Sequence, residues 1–463
     1  MDTPVSKIRT AKLELYRKKG KIHAKAVDGR FNTLRWTMVW LTQIVFYGAC
    51  WLEWEVGGAS RQAVLFDIAH EKLYLFGLVL WPQDALLLAI ALIIAALGLF
   101  FVTALAGRLF CGFVCPQTVY TSIFVWIETK IEGDHLARLK LDQSPMTTRK
   151  LALKSLKHGI WLAIAGWTAI TFVGYFSPIR DLLAALPRLD IGPWEGFWLI
   201  FYGAFTYVQA GLAREAVCQH MCPYARFQGV MFDPATRNVA YDSRRGEPRH
   251  GRLNNATSGD CIDCGICVEV CPTGIDIRHG LQYQCINCGL CIDACDQVMT
   301  RTGAPTGLIR FASAAELAGP AVGDKANLRP RIAVYIAMLT AFSALGAWSI
   351  DRRPPFLVDV IRDRGALHRE MPDGRIENAY TLKLMNLTDT PQELSIDPEG
   401  MAGLEVIGQR SFPVAAGSIN PVHLTLSAPG DCILSGLQPI TLRVSTNHAA
   451  GRQMRENTSF FLP

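Results

Sequence analysis

Twelve of the fourteen cysteines in this 463-residue chain fall into runs whose spacing can do chemistry. Two of the runs read Cys261-x2-Cys264-x2-Cys267-x3-Cys271-Pro272 and Cys285-x2-Cys288-x2-Cys291-x3-Cys295. Three thiolates of such a run bind one [4Fe–4S] cluster, and the fourth reaches across to the other. The spacing therefore assigns Cys261, Cys264, Cys267 and Cys295 to a first cluster, and Cys285, Cys288, Cys291 and Cys271 to a second. Asp296 stands where a second proline is common. Zinc is the competing occupant of Cys-x2-Cys pairs, but it rarely needs eight cysteines in two phased runs. Small residues at Gly265, Gly289 and Thr273-Gly274 leave room for a cubane.

The other four cysteines form two matched motifs. Arg108-Leu109-Phe110-Cys111-Gly112-Phe113-Val114-Cys115-Pro116 and Arg214-Glu215-Ala216-Val217-Cys218-Gln219-His220-Met221-Cys222-Pro223 both carry Cys-x3-Cys-Pro after an apolar stretch. On a helix, positions i and i+4 share a face, so each pair is expected to present two sulfurs together. The following proline predicts a turn or kink beside them. If the two halves of this duplication pack together, four thiols converge. Soft sulfur ligands select copper(I), zinc or iron–sulfur clusters. His220 and Met221 add ligand types that suit copper, with a hydrogen-bonded histidine and a packing methionine as their ordinary roles. Arg108 and Arg214 are expected either to act on these thiols or to snorkel towards lipid phosphates.

The elements that position these residues are written in the hydropathy. Half of the residues are apolar and 19% are charged, and the apolar excess is concentrated in blocks. Uncharged stretches at Trp36–Leu52, Ala85–Gly107, Gly159–Ile179, Gly196–Ala213 and Ile332–Ile350 are near the length that crosses a bilayer. Trp40, Trp51, Trp54, Trp194 and Trp198 look like interfacial anchors. Leu73–Gln83 is a further apolar piece, too short to cross. Lys and Arg are dense before span one, between spans two and three, and between spans four and five, and sparse elsewhere. The positive-inside rule then predicts a cytoplasmic N-terminus and an external C-terminus in a bacterial inner membrane.

The expected fold is a five-span α-helical bundle at the core of a multi-domain membrane protein. A basic cytoplasmic tail (1–35) leads into spans one to four with both Cys-x3-Cys-Pro motifs at the cytoplasmic face (36–213). A cytoplasmic bacterial-type two-cluster ferredoxin insert follows (214–330, core about 255–300), where thiols stay reduced. Its flanks, Ala240–Asn255 and Thr300–Arg329, read as loops. Span five (331–351) precedes a periplasmic domain (356–463). There, alternating runs at Tyr380–Leu384, Val422–Leu426 and Ile440–Val444, with Glu405–Ile407 and Ser459–Leu462, suggest an all-β immunoglobulin-like sandwich. The run Arg17, Lys18, Lys19 and Lys21 predicts an inner-leaflet contact. The net charge of +6 then needs no nucleic acid. Cys50 and Cys432 read as small apolar residues. No nicotinamide or flavin fingerprint is visible, so electrons are expected from a cytoplasmic donor.

In these motifs and their order the chain resembles the FixG/RdxA/CcoG family, accessory proteins of cbb3-type cytochrome c oxidase. The resemblance implies that Cys111, Cys115, Cys218 and Cys222 take the family's membrane cysteine positions, and that Cys261 to Cys295 hold two [4Fe–4S] clusters. It implies a cupric reductase that converts Cu(II) to Cu(I) for oxidase assembly, with copper ions, membrane lipid and oxidase assembly factors or copper chaperones as partners. Homo-oligomerisation stays open. The layout also resembles the NapH-type quinol dehydrogenase subunits, from which the long C-terminal sandwich departs. A non-catalytic assembly scaffold is the third reading.

Overall fold

The computed structural model describes residues 21–463 apart from 57–58, 250–258, 320–328, 364, 366, 389, 431–434 and 447–452, so that Arg17, Lys18, Lys19 and Cys432 lie outside the described residues. The helices run in the order α1 (Arg30–Ala49), α2 (Ala85–Ala106), α3 (Leu109–Phe113), α4 (Pro116–Glu132), α5 (His135–Gln143), α6 (Thr148–Val173), α7 (Ile179–Ala185), α8 (Pro193–Thr206) and α9 (Pro223–Met231). Later helices include Leu290–Thr302 and Pro330–Asp351. The chain forms two compact units, one of residues 1–42, 99–166 and 203–333, the other of residues 43–98, 167–202 and 334–463.

Among the described residues, four segments are long and apolar enough to cross a membrane: Pro82–Ala106, Leu109–Glu132, Thr148–Val173 and Pro330–Asp351. Leu86 and Leu92 of α2 are 64% and 63% exposed. An apolar face of this extent is at home in lipid rather than water. Three of the four segments match expected spans. α1 and α8 stand where spans one and four were expected but fall short of this criterion, α8 because it is only 14 residues before its winding widens into a π-helix at Tyr207–Ala213. Trp40, Trp51, Trp54, Trp194 and Trp198 are all exposed, as anchors require.

The remaining segment, Leu109–Glu132, contains α4 and lies between expected spans two and three, where no span was expected. α4 meets its neighbours near one end of each: Arg35 donates to Ser122 (2.7 Å), Trp161 of α6 stacks on Phe124 (5.2 Å), and Gln117 donates to the Gln209 carbonyl (2.9 Å). Its charges are paired inside the unit. Glu128, fully buried, receives Arg214 at 2.7 Å, Lys21 at 2.5 Å and Lys157 at 3.3 Å, with Arg138 at 3.7 Å. Lys21 also reaches Asp142 at 3.3 Å. Lys21 is therefore held by carboxylates rather than by the inner leaflet, because a buried Glu128 needs compensating cations more than a lipid headgroup does.

Residues 22–32, within the expected tail, are also bonded to distant segments. The Lys25 amide donates to the Glu269 carbonyl (2.8 Å), and Asp293 accepts from the amides of Phe31 (3.1 Å) and Asn32 (2.8 Å). Asp293 thus supplies the missing partners at the α1 N-terminus. The flanks expected as loops also pair: Asn238–Tyr241 and Ile309–Ala312 form an antiparallel ribbon that packs its Val239 and Ile309 into the cluster core.

In the second unit the apolar piece at Leu73–Gln83 is folded into short antiparallel strands, Lys72–Leu75 and Leu78–Leu80, behind Val64–Asp67. Val79 and Trp81 bury against Leu387. Residues 356–462 form two antiparallel sheets. One orders Glu405–Ile407, Ile419–Pro429, Arg375–Asn386 and Phe356–Arg362; the other orders Ser411–Val414, Gln392–Glu399, Gly436–Thr446 and Gln453–Leu462. Alternate residues such as Leu382, Leu384, Leu394, Leu426, Leu442 and Phe460 fill one core. This is the expected sandwich. Cys50 is buried, as its packing role requires.

Replacing Glu128 by Gln leaves four cations around a neutral amide. The expected cost is about 3–5 kcal/mol of stability, read as a lowered Tm in detergent. Glu53→Gln, which removes an exposed partner of Arg180, should cost less than about 1 kcal/mol.

Candidate electron-transfer site

Each cysteine run folds into the same loop. Cys261-Ile262-Asp263-Cys264-Gly265 and Cys285-Ile286-Asn287-Cys288-Gly289 place positive φ at equivalent residues, Asp263 (52°) with Asn287 (55°) and Gly265 (72°) with Gly289 (76°). A left-handed turn at these points curls the chain so that successive sulfurs face one hollow. The sequence carried this signal as a repeated pentapeptide, which the reading of cysteines alone passed over.

Two hollows result. One, about 20 Å³, is lined by Cys261, Cys264, Cys267 and Cys295 together with Arg278. The other, also about 20 Å³, is lined by Cys271, Cys285, Cys288 and Cys291, and by Cys267 as well. Each hollow brings together the four cysteines that the spacing assigns to one set, including the crossed fourth cysteine. Near-equal volumes suit two copies of one group. Four thiols around each hollow fit the donor set of a cubane. Burial pushes the thiols up, to about 12 at Cys285 and Cys295 and about 11 at Cys267. A buried thiol stays neutral until a metal displaces its proton, so cluster loading and folding of this domain are linked.

The Cys-x3-Cys-Pro motifs depart from the single-helix expectation. Cys111 lies in α3, but Cys115 is the N-cap of α4 with Pro116 at its first position. Cys218 lies in the π-helical turn Val217–Met221, and Cys222 is the N-cap of α9 with Pro223 at its first position. Proline pre-sets the helical φ at the first position and loses no hydrogen bond there. Each motif is therefore a short helix, a break at the second cysteine, and a new helix. The duplication survives in the fold: Cys115 and Cys222 share an extended ψ of 126° and 112°.

The two motifs exchange contacts. After the first motif, Gln117 donates to the carbonyls of Gln209 and Arg214, which precede the second. After the second, Tyr224 pairs with Thr103 (2.7 Å) and Gln228 accepts from Cys111 Sγ (3.4 Å), both before or within the first. Cys115 and Cys218 act electrostatically on Cys111, and Cys222 on Cys115 and Cys218, so the thiols of the two motifs lie within electrostatic reach of one another. His220, Met221 and Cys222 line an adjoining open hollow with Phe227 and Val230. Arg108 and Arg214 do not snorkel. Arg214 is taken by Glu128. Arg108, 3% exposed, donates to the carbonyls of Tyr283, Ala225 and, at 3.5 Å, Cys285.

These contacts tie the thiol site to the second hollow. Cys111 packs with Cys288 and Cys291 in one apolar cluster. A Cβ added to Gly112 would lie 2.7 Å from the Ile286 carbonyl oxygen and 3.0 Å from Cys288 Cα, closer than atoms can approach. Asn287, 1% exposed, donates to Asn238 (2.9 Å) and the Ala106 carbonyl (3.4 Å), fixing the same loop to the end of α2. Sequence reasoning missed Gly112, Asn287 and Asp293. Gly112 could have been suspected as the one glycine inside a Cys-x3-Cys-Pro motif; the other two carried no signal of this contact.

Gly112→Ala should force the α3 turn off the second loop. The expected result is iron falling from about eight towards about four atoms per chain, measured on the purified protein. Full iron content would show that the close approach is dispensable.

Comparison with known proteins places this arrangement. A model described as "4Fe-4S dicluster domain" matches residues 213–314, one described as "4Fe-4S binding domain" matches 88–132, and one described as "IG-like fold at C-terminal of FixG" matches 346–463. Protein RdxA of Cereibacter sphaeroides is 37% identical, covering 94% of this chain and 95% of its own. Nitrogen fixation protein FixG of Rhizobium meliloti is 36% identical, covering 85% and 82%. The ferredoxin-type protein NapH of Haemophilus influenzae is 24% identical, covering 40% and 66%. A crystal structure of a FixG-related protein from Vibrio parahaemolyticus is 26% identical over 24% of this chain and 98% of its own, with a TM-score of 0.22. With likeness of this extent running from the first membrane helix through the sandwich, the chain belongs to the FixG/RdxA family of iron–sulfur membrane proteins.

Proposed function

We propose that this electron-transfer protein is a cupric reductase, with the four thiols of Cys111, Cys115, Cys218 and Cys222 as the site where Cu(II) takes one electron and leaves as Cu(I). The observation that carries the reading is the juxtaposition of those thiols with the loop of Cys285 and Cys288, through Gly112 and Arg108. When bound, the clusters held by the eight cysteines supply electrons singly, which is what reduction of Cu(II) requires.

The residues then have separable roles. Thiolate sulfur favours Cu(I) over Cu(II), so the four cysteines stabilise the product. His220 and Met221 line the open hollow beside Cys222 and would receive the incoming ion. Arg108 and Gln228 hold the two motifs together. The charge pattern of the loops supports a cytoplasmic position for this site and an external one for the sandwich, which would dock oxidase assembly factors or copper chaperones. A cytoplasmic one-electron donor would reduce the clusters. Oligomerisation is left to measurement.

Likeness to NapH and the apolar side chains of Phe227 and Val230 beside Cys222 favour quinol as the alternative substrate. Quinol oxidation by membranes containing the protein separates the two readings.

Cys115→Ser with Cys222→Ser should abolish copper binding and Cu(II) reduction while iron stays at about eight per chain. Metal analysis with a Cu(I)-chelator assay checks this. Iron at about twelve in the unsubstituted protein, falling to about eight in the variant, would replace copper with a third cubane at these thiols.

A further inference from the structure

Arg35, near the start of α1, carries a charge that neither its packing bond to Ser122 nor the copper site uses. Phe31, one turn earlier on the same face, packs on Gly289, where an added Cβ would meet its ring at 2.6 Å. Arg35 is thereby directed at the loop that carries Cys288, and it acts electrostatically on Cys288 and Cys271. Its Nη2 donates to Ser122 Oγ at 2.7 Å, while Nε is enclosed without a hydrogen-bond partner. Arg35, one turn on from the Phe31 that packs on Gly289, and Arg108, bonded to the Cys285 carbonyl, thus both stand close to the loop of the second hollow.

The two hollows differ sharply in how such charge is balanced. At the first, Arg278 is neutralised by Asp276 at 2.7 Å and by Asp263. At the second, among the described residues, neither Arg35 nor Arg108 pairs with a carboxylate; their recorded partners are a hydroxyl and backbone carbonyls. Unneutralised positive charge favours the more negative, reduced state of a cluster, and weakly so where a carboxylate already answers it.

We infer that Arg35 is a positioning residue for charge: with Arg108 it makes the site of Cys271, Cys285, Cys288 and Cys291 the more oxidising of the two. The site nearer Cys111 then draws the electron, and the site bearing the exposed Cys264 faces the donor. This inference rests on the electron-transfer reading above but not on copper as the substrate.

The test is a redox titration of the full chain followed by electron paramagnetic resonance, with iron content as the control. Cys264→Ser alters the first site's signal and so tells the two apart. In Arg35→Gln the second site's midpoint should fall by at least the 59 mV that corresponds to about a tenfold change in a one-electron equilibrium, with the first site unmoved. Arg35→Lys should restore most of the loss. An unmoved second site, an equal fall at both sites, or a Lys variant as low as the Gln variant overturns the inference. Should Arg35→Gln lose iron, Ser122→Ala decides: it keeps the charge but frees its anchor, and no fall in the second midpoint overturns the inference. A normal shift in a protein that fails to reduce Cu(II) would sink the copper reading alone.

Discussion

The close packing of Gly112 on the backbone of Ile286 to Cys288 is the contact on which the site depends. Backbone against backbone leaves no space for a side chain, and it sets the first Cys-x3-Cys-Pro motif beside one cluster loop rather than at an adjustable distance from it. Asn287 repeats the constraint from the other side by bonding to the end of α2 and to Asn238. A redox relay works only when its centres are held close, and held without reliance on flexible side chains. Here two glycines and one buried amide do that holding, since Gly107 also lies against Asn238 and Asn287.

The second motif is placed by charge. Arg214 is drawn into Glu128, and Glu128 tolerates complete burial only because Lys21, Lys157 and Arg138 share it. Those cations come from the N-terminal segment, α5 and α6, so the position of Cys218 is set by parts of the chain far apart in sequence. Such a network gives little net stability for its size, but removing any central member leaves uncompensated charge. It acts as a register for the thiol site more than as a source of folding energy.

Much of this was legible in the sequence, for physical reasons that can be named. Cluster ligands are chosen by spacing within one loop, so the crossed sets of Cys295 and Cys271 could be read directly. The sandwich was legible because its strands alternate strictly, from Tyr380-x-Leu382-x-Leu384 onwards. Contacts between distant segments were not: Asp293 meets Phe31 across 262 residues, and nothing local marks either. α4 was hidden because Glu128 and Glu132 look like solvent residues until their partners are known. The motif cysteines were misplaced by one detail, since Pro116 and Pro223 begin new helices instead of bending old ones.

The proposal to be tested is that electrons held at the eight-cysteine domain pass to Cu(II) at the four motif thiols. Rapid mixing of the chemically reduced full-length protein with Cu(II), in the absence of oxygen, measures this most directly. The account predicts that cluster absorbance recovers as Cu(I) appears, one Cu(I) for each electron lost, and that the quadruple Ser variant of Cys111, Cys115, Cys218 and Cys222 retains its electrons. Cluster oxidation without Cu(I), or equally fast Cu(I) formation by the quadruple variant, would contradict it.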